Sequence, residues 1–140
     1  MRYQRTLFSA VILIVTGSTQ ANEACIESAS EYYNIPPDII RAIGKVESNQ
    51  NPYRIGDNGH SVGYMMINDY WWPTLRQYGV EKKDLFHACT NIYWGTWILA
   101  QEIQRHGLTW KAIGAYNAVS LEKQKVYAWK IYRAMTRSTR

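Results

Sequence analysis

The feature that most narrows what this chain can become is a glutamate standing where an apolar residue belongs. Pro37-Asp38-Ile39-Ile40-Arg41-Ala42-Ile43-Gly44-Lys45-Val46 has the pattern of a helix. Proline and an acid fill its first turn, where a missing N–H costs nothing and a negative charge suits the dipole. Ile39, Ile40, Ile43 and Val46 recur at helical spacing. Glu47 follows Ile43 by four residues and Ile40 by seven, so it continues the apolar stripe rather than the solvent face. Most glutamates at a helix end snorkel to water. One on the core-facing side has a desolvated carboxyl, and desolvation disfavours its charged form.

The residues downstream give that carboxyl a context. Ser48-Asn49-Gln50-Asn51-Pro52 is polar and stops the helix, and Gly56-Asp57-Asn58-Gly59-His60 supplies turn chemistry. Next come Ser61-Val62-Gly63-Tyr64-Met65-Met66-Ile67-Asn68 and, far downstream, Ala115-Tyr116-Asn117. Together these segments resemble the soluble-type (SLT) lytic transglycosylase domain, within the goose-type lysozyme-like superfamily. In that family a Glu-Ser pair closes a helix, Gly-Leu-Met-Gln follows, and Ala-Tyr-Asn comes near the end. Here the first and third segments match outright. The second matches in half, with Tyr64 in place of the leucine and Met66 in place of the glutamine. Ala118 follows the third segment where a glycine is more usual. The resemblance runs from about Ala29 to Ala118.

The whole chain is 140 residues, enough for a single core. Met1 to Ala21 has the pattern of a secretory signal: Arg2 and Arg5 form a basic start, Leu7 to Val15 is apolar, and Thr19-Gln20-Ala21 offers small residues for cleavage. The apolar run is too short to span a bilayer comfortably. Residues 22–140 are then the mature domain, exported to the periplasm, with no stable membrane insertion after processing; a retained N-terminal anchor is the alternative. The formal charge of +5 falls to +3 once Arg2 and Arg5 are removed. That mild basic excess suits an anionic wall polymer and is far from a nucleic-acid signature.

Cys25 and Cys89 are the two cysteines, an even count that behind a signal fits one disulfide in an oxidising compartment. A Cys89 nucleophile served by His87 is the rival, disfavoured because residues two apart do not face each other on a helix. His60, His87 and His106 lack metal-ligand spacing, so neither metal nor cofactor is expected.

The remaining pattern is helical: Glu23 to Tyr33; a short helix from Trp72 to Tyr78; a long central helix capped by Asp84 and ended by Gly107, with Ile92, Gly95, Leu99 and Ile103 on one stripe; a helix capped by Thr109; and a last one from Leu121 to about Met135, packing through Val126, Trp129 and Tyr132. Only residues 51–68 have strand character. The expected fold is mainly α, of the lysozyme-like α+β superfamily: a compact helical domain with a small irregular or β excursion beside the active-site cleft. Six Trp and eleven Tyr stand against two Phe, and rings with a polar handle suit sugars. Tyr64, Trp71, Trp72, Tyr93, Trp94 and Tyr116 flank the motif segments as cleft candidates.

The resemblance implies an enzyme that cleaves the MurNAc–GlcNAc β-1,4 linkage of peptidoglycan without water, leaving a 1,6-anhydro end. Glu47 acts first as acid and then as base. Ser48, Ser61, Gly63, Tyr64, Met65, Met66, Asn68, Tyr116 and Asn117 line the sugar site, with Tyr116 orienting the carboxyl or the N-acetyl group. A second carboxyl is absent from the position before Val62-Gly63, which is Ser61. Asp57, in its turn, and Asp69, able to cap the next helix, are the nearest acids. Small members with one disulfide resemble monomeric enzymes that open the wall for secretion, conjugation or pilus machines, whose components are the expected partners beside glycan strands. A lysozyme-type hydrolase and a catalytically weak wall-binding assembly factor are the alternatives.

Overall fold

A computed structural model describes the backbone of residues 9–137 and the side chains from residue 17 onward. The described residues form six α-helices and a small sheet: α1 Ser9–Tyr33, α2 Pro37–Ser48, β1 Ile55–Gly56, β2 Ser61–Val62, β3 Ile67–Asn68, α3 Trp72–Gln77, α4 Ala88–His106, α5 Trp110–Asn117 and α6 Leu121–Arg137. The fold is mainly α with a small β excursion, as expected. The sheet is antiparallel in the order β1-β2-β3, with Ile55 opposite Val62 and Val62 opposite Ile67.

α1 differs from the expected Glu23 start. It is continuous from Ser9 through the small residues Thr19-Gln20-Ala21, because no proline or paired glycine breaks it. Arg2 and Arg5, the basic start of the expected signal, lie outside the described residues. No described helix is long and apolar enough to cross a membrane.

α2 opens with proline and closes on Asn49 in the left-handed region, whose N–H donates to the Lys45 carbonyl at 3.0 Å. Its apolar face, Ile39, Ile40 and Ile43, is buried in the main core with Ile26, Ile92, Leu99 and Ile131 from α1, α4 and α6. α4 is the buried central helix, but it begins at Ala88 rather than at Asp84. Asp84 serves a preceding 3-10 segment instead, its carboxylate accepting from the Glu81 N–H at 2.8 Å. Thr109 caps α5 as expected, accepting from the Ala112 N–H.

α6 corrects the expected packing. Val126, Trp129 and Tyr132 are exposed, and Tyr127, Ala128 and Ile131 are the buried face. Two apolar stripes run along this helix about one residue apart, and the one with the smaller side chains fits against α5. The tryptophans expected in the cleft also pack elsewhere. Trp71, Trp97 and Trp94 form a T-shaped ladder with centroids 5.6 Å apart. With Trp72 they cover a second core of Val62, Ile67, Leu75, Leu85 and Ile98. The Tyr93 hydroxyl lies 2.7 Å from that of Ser28 on α1. Cys25 and Cys89 are joined, Cα atoms 5.4 Å apart, which fastens α1 to the first turn of α4 and excludes a Cys89 nucleophile.

Candidate active site

The site is assembled around the turn between β2 and β3, Gly63 to Met66. Gly63 has a φ of +88°, and a Cβ there would fall 2.0 Å from Asn91 Nδ2 and 2.5 Å from the Leu85 carbonyl oxygen. Glycine is therefore required both for the backbone and for space. Asn91, fully buried on α4, holds the turn: its Nδ2 donates to the carbonyls of Val62 at 3.0 Å and Leu85 at 2.9 Å. Its Oδ1 accepts from the Met65 N–H at 2.7 Å. This residue carries three hydrogen bonds of the site's scaffold and was missed in the sequence, where an asparagine inside a helix has no distinguishing neighbour.

Two further ties come from residues that the sequence placed against substrate. Ser48 is buried at the end of α2; its hydroxyl donates to the Tyr64 carbonyl at 2.7 Å and accepts from the Asn51 N–H at 3.0 Å. The Tyr116 hydroxyl, on α5, donates to the Met65 carbonyl at 2.8 Å. The turn is thus gripped by α2, α4 and α5, which fixes its distance from the carboxyl beside Ser48. Ser48→Ala should cost about 1–3 kcal/mol, the penalty for a buried carbonyl left without its donor. Thermal melting reads this, and an unchanged Tm would show that the tie is dispensable.

The side chains of the turn do not all face the sugar site. Tyr64 is 1% exposed, with its ring pressed on Gly44 of α2, and Met65 is fully buried against Gly95 of α4. Both corrections have one cause: the turn's backbone faces outward only if its bulkiest side chains fill the gap between α2 and α4. Met66, half-buried with a φ of +51°, sends its Cε over Gly56. Ser61 is buried; its hydroxyl donates to Asp57 at 2.6 Å and accepts from Asn68 at 3.1 Å. Asn68 Oδ1 also accepts from the Tyr70 N–H, so Asn68 rather than Asp69 caps the 3-10 turn Asp69–Trp71 that leads into α3. Asp69 instead lies 2.6 Å from His60 Nδ1.

Glu47 sits next to this scaffold, half-buried at the end of the α2 stripe. Tyr127 on α6 donates its hydroxyl to Glu47 Oε1 at 2.5 Å. Asn117, at the end of α5, stands near enough to act on the same carboxyl. Burial raises the Glu47 pKa above the ordinary carboxylate value. The bond from Tyr127 and the nearby Asn117 amide oppose that shift, the negative charge of Asp57 adds to it, and Lys130 opposes it. The phenols of Tyr127 and Tyr116 are held well above their usual range, first by burial and then by the Glu47 charge. They remain donors, and their rings stack with centroids 6.5 Å apart. The hydroxyl that meets the Glu47 carboxyl is that of Tyr127, while that of Tyr116 meets the Met65 carbonyl. The signal of Tyr127 lay in the second apolar stripe of α6.

This arrangement presents a carboxyl able to keep its proton, one phenol locking its orientation, and an exposed amide, Asn117, beside it. Removing the phenol hydroxyl tests the lock. In Tyr127→Phe the bond that favours the ionised carboxylate is gone, so the Glu47 pKa should rise further. The alkaline limb of the pH–activity profile, which reports loss of that proton, should move to higher pH. A hydrogen bond to a charged group is worth about 1.5–3 kcal/mol, so turnover should also fall by roughly tenfold or more. A profile superimposable on the wild type would show that the contact does not act on the carboxyl.

The comparisons with known proteins agree with this geometry. The family model described as the Transglycosylase SLT domain matches residues 24–131. A peptidoglycan-binding-like protein of Escherichia coli O157:H7 is 37% identical over 147 aligned positions, covering 94% of this chain and 87% of its own length. Protein IpgF of Shigella sonnei is 34% identical, covering 81% of this chain and 80% of its own. Invasion protein IagB of Salmonella typhi is 30% identical, with coverage of 89% and 83%. With an SLT match over most of its length and a glutamate at the place the motif assigns, this chain belongs to the SLT transglycosylase family.

Proposed function

We propose that this protein is a lytic transglycosylase that cuts the MurNAc–GlcNAc bond of peptidoglycan and leaves a 1,6-anhydro end. The observation that carries the reading is the Glu47 carboxyl, half-buried, held by Tyr127 and biased toward its protonated form. Glu47 gives its proton to the glycosidic oxygen as the C1–O bond breaks. The muramoyl N-acetyl oxygen closes on C1 and carries the positive charge. The Glu47 carboxylate then takes the C6 hydroxyl proton and the C6 oxygen bonds to C1 as the bond from C1 to the N-acetyl oxygen breaks, which restores the neutral acetamide and the protonated acid. General acid–base transfer of this kind supplies about 10²–10⁴-fold, and the tethered C6 hydroxyl outcompetes water through its effective concentration.

A second reading, hydrolysis to a free reducing end, has one observation in its favour: the Asp57 carboxylate lies near enough to act on Glu47. Asp57 is exposed and its Oδ2 is engaged by Ser61, which suits a charge that keeps Glu47 protonated better than a nucleophile at C1. Digestion of purified peptidoglycan separates the two. Anhydro muropeptides are about 18 Da lighter than hydrolysed ones, the mass of one water; dominant reducing-end products would establish the hydrolase.

The setting proposed for this activity is the periplasm, reached through the signal of residues 1–21, with the enzyme opening the wall locally for a secretion, conjugation or pilus machine. The name of IagB, an invasion protein, supports that context. Exposure of Gly17 to Ala21 supports access by a processing peptidase.

A further inference from the structure

Beside the carboxyl, between α2 and α6, runs an open groove of about 870 Å³. Its apolar lining comes from Val46, Ala134 and Met135, which are partly buried in the main core. Its exposed cations are Lys45 on α2 and Lys130, Arg133 and Arg137 on α6. Arg41 also borders it, but its guanidinium is taken up by Glu23, Glu27 and Asp38. Among the described residues Lys45, Lys130 and Arg133 form no ion pair.

Lys130 links the groove to the site, because its charge reaches the Glu47 carboxyl. Val46 immediately precedes Glu47, and Lys130 stands one helical turn after Tyr127 on α6. In the peptide-bearing strand the sugars themselves offer these cations no charge, because the lactyl carboxyl of each muramoyl sugar is tied up as an amide. Peptidoglycan does, because each muramoyl sugar carries a short peptide with free carboxylates. We propose that this groove seats the acidic stem peptide of the strand, holding it by its carboxylates and its methyl and methylene groups while the sugar bond lies at Glu47. This rests on the reading of Glu47 as the wall-cleaving acid. Single exposed ion pairs contribute only about 0–1 kcal/mol each and weaken with salt. Four cations on two walls of one groove act together, and the peptide recurs along the polymer.

The test uses soluble, end-labelled glycan strands, one preparation bearing stem peptides and one stripped of them by an amidase, its freed lactyl carboxylates then capped as neutral amides. Lys45→Glu with Arg133→Glu reverses two charges at exposed positions and leaves Lys130, whose charge acts on Glu47, in place. Binding is read by fluorescence anisotropy in a Glu47→Gln background, so that no strand is consumed. The double reversal should weaken binding to peptide-bearing strands at least about tenfold and leave binding to stripped strands unchanged, removing the preference between them. In the Glu47 form, KM for peptide-bearing strands should rise at constant kcat. Equal weakening on both strands would make the groove a general attractor of polymer, and no change on either would make it an unrelated surface; each overturns the proposal. Should the wild type cleave neither strand while the binding difference persists, the wall-cleaving reading fails and the groove stands.

Discussion

Glu47→Gln should lower wall cleavage by at least about 10²-fold, the smaller end of what a positioned acid–base group contributes. The amide cannot give or take the proton, while its oxygen still accepts from Tyr127, so helical circular dichroism should be unchanged. Stability adds a second readout that a loss of fold would not mimic. The folded pKa of Glu47 is raised, first by burial, so the folded state holds the proton more tightly than the unfolded chain does. The stability this gives is fully present below the unfolded pKa and is lost as pH rises through the folded one. Above its folded pKa, the wild type carries a partly desolvated negative charge that the glutamine variant lacks. The variant should therefore melt at or above the wild type there, with the difference vanishing in acid. Residual cleavage above a few per cent, or a variant less stable at pH 8 than at pH 4 relative to wild type, would displace Glu47 from this role.

What could be read before the structure depended on whether a residue's role is local. Glu47 was legible because helical spacing alone puts it on the buried side, and burial is what its chemistry needs. The disulfide and the helix ends at Thr109 and Gly107 were legible for the same reason, each resting on one or two residues and their neighbours. Tyr127 was not. α6 has apolar residues on two adjacent stripes, and only its docking against α2 and α5 selects the one with Tyr127, Ala128 and Ile131. The strands are two residues each, too short for alternation to show. Tyr64 and Met65 were misplaced against substrate for a related reason: a motif can be kept for what its backbone presents while its side chains fill the core. Ser48 likewise belongs to the tie between α2 and the turn, a contact across sixteen residues that no local pattern reveals.

Cys25→Ala with Cys89→Ala should cost on the order of 4 kcal/mol, from the chain entropy released when a loop of 64 residues opens. At the size of this domain that corresponds to a fall in Tm on the order of 10–15 °C. The loop holds the C-terminal part of α1, all of α2 with Glu47, the sheet and α3, so every element that positions the carboxyl from the N-terminal side lies within it. Contacts other than the bridge also hold α1. Ile26 and Ala29 are buried in the main core, Ser28 meets Tyr93, and Glu23 and Glu27 pair with Arg41 of α2. The double variant should therefore fold at 25 °C and retain most of its turnover, because α2 remains seated against α6. The loss should appear on heating, when α1 detaches first and takes with it two of the three carboxylates that neutralise Arg41. Alkylation of the unreduced wild type should add no label, and differential scanning calorimetry of the variant measures the change. Two titratable thiols in the oxidised protein, or a Tm within a degree or two of the wild type, would mean that the core alone holds α1 in place.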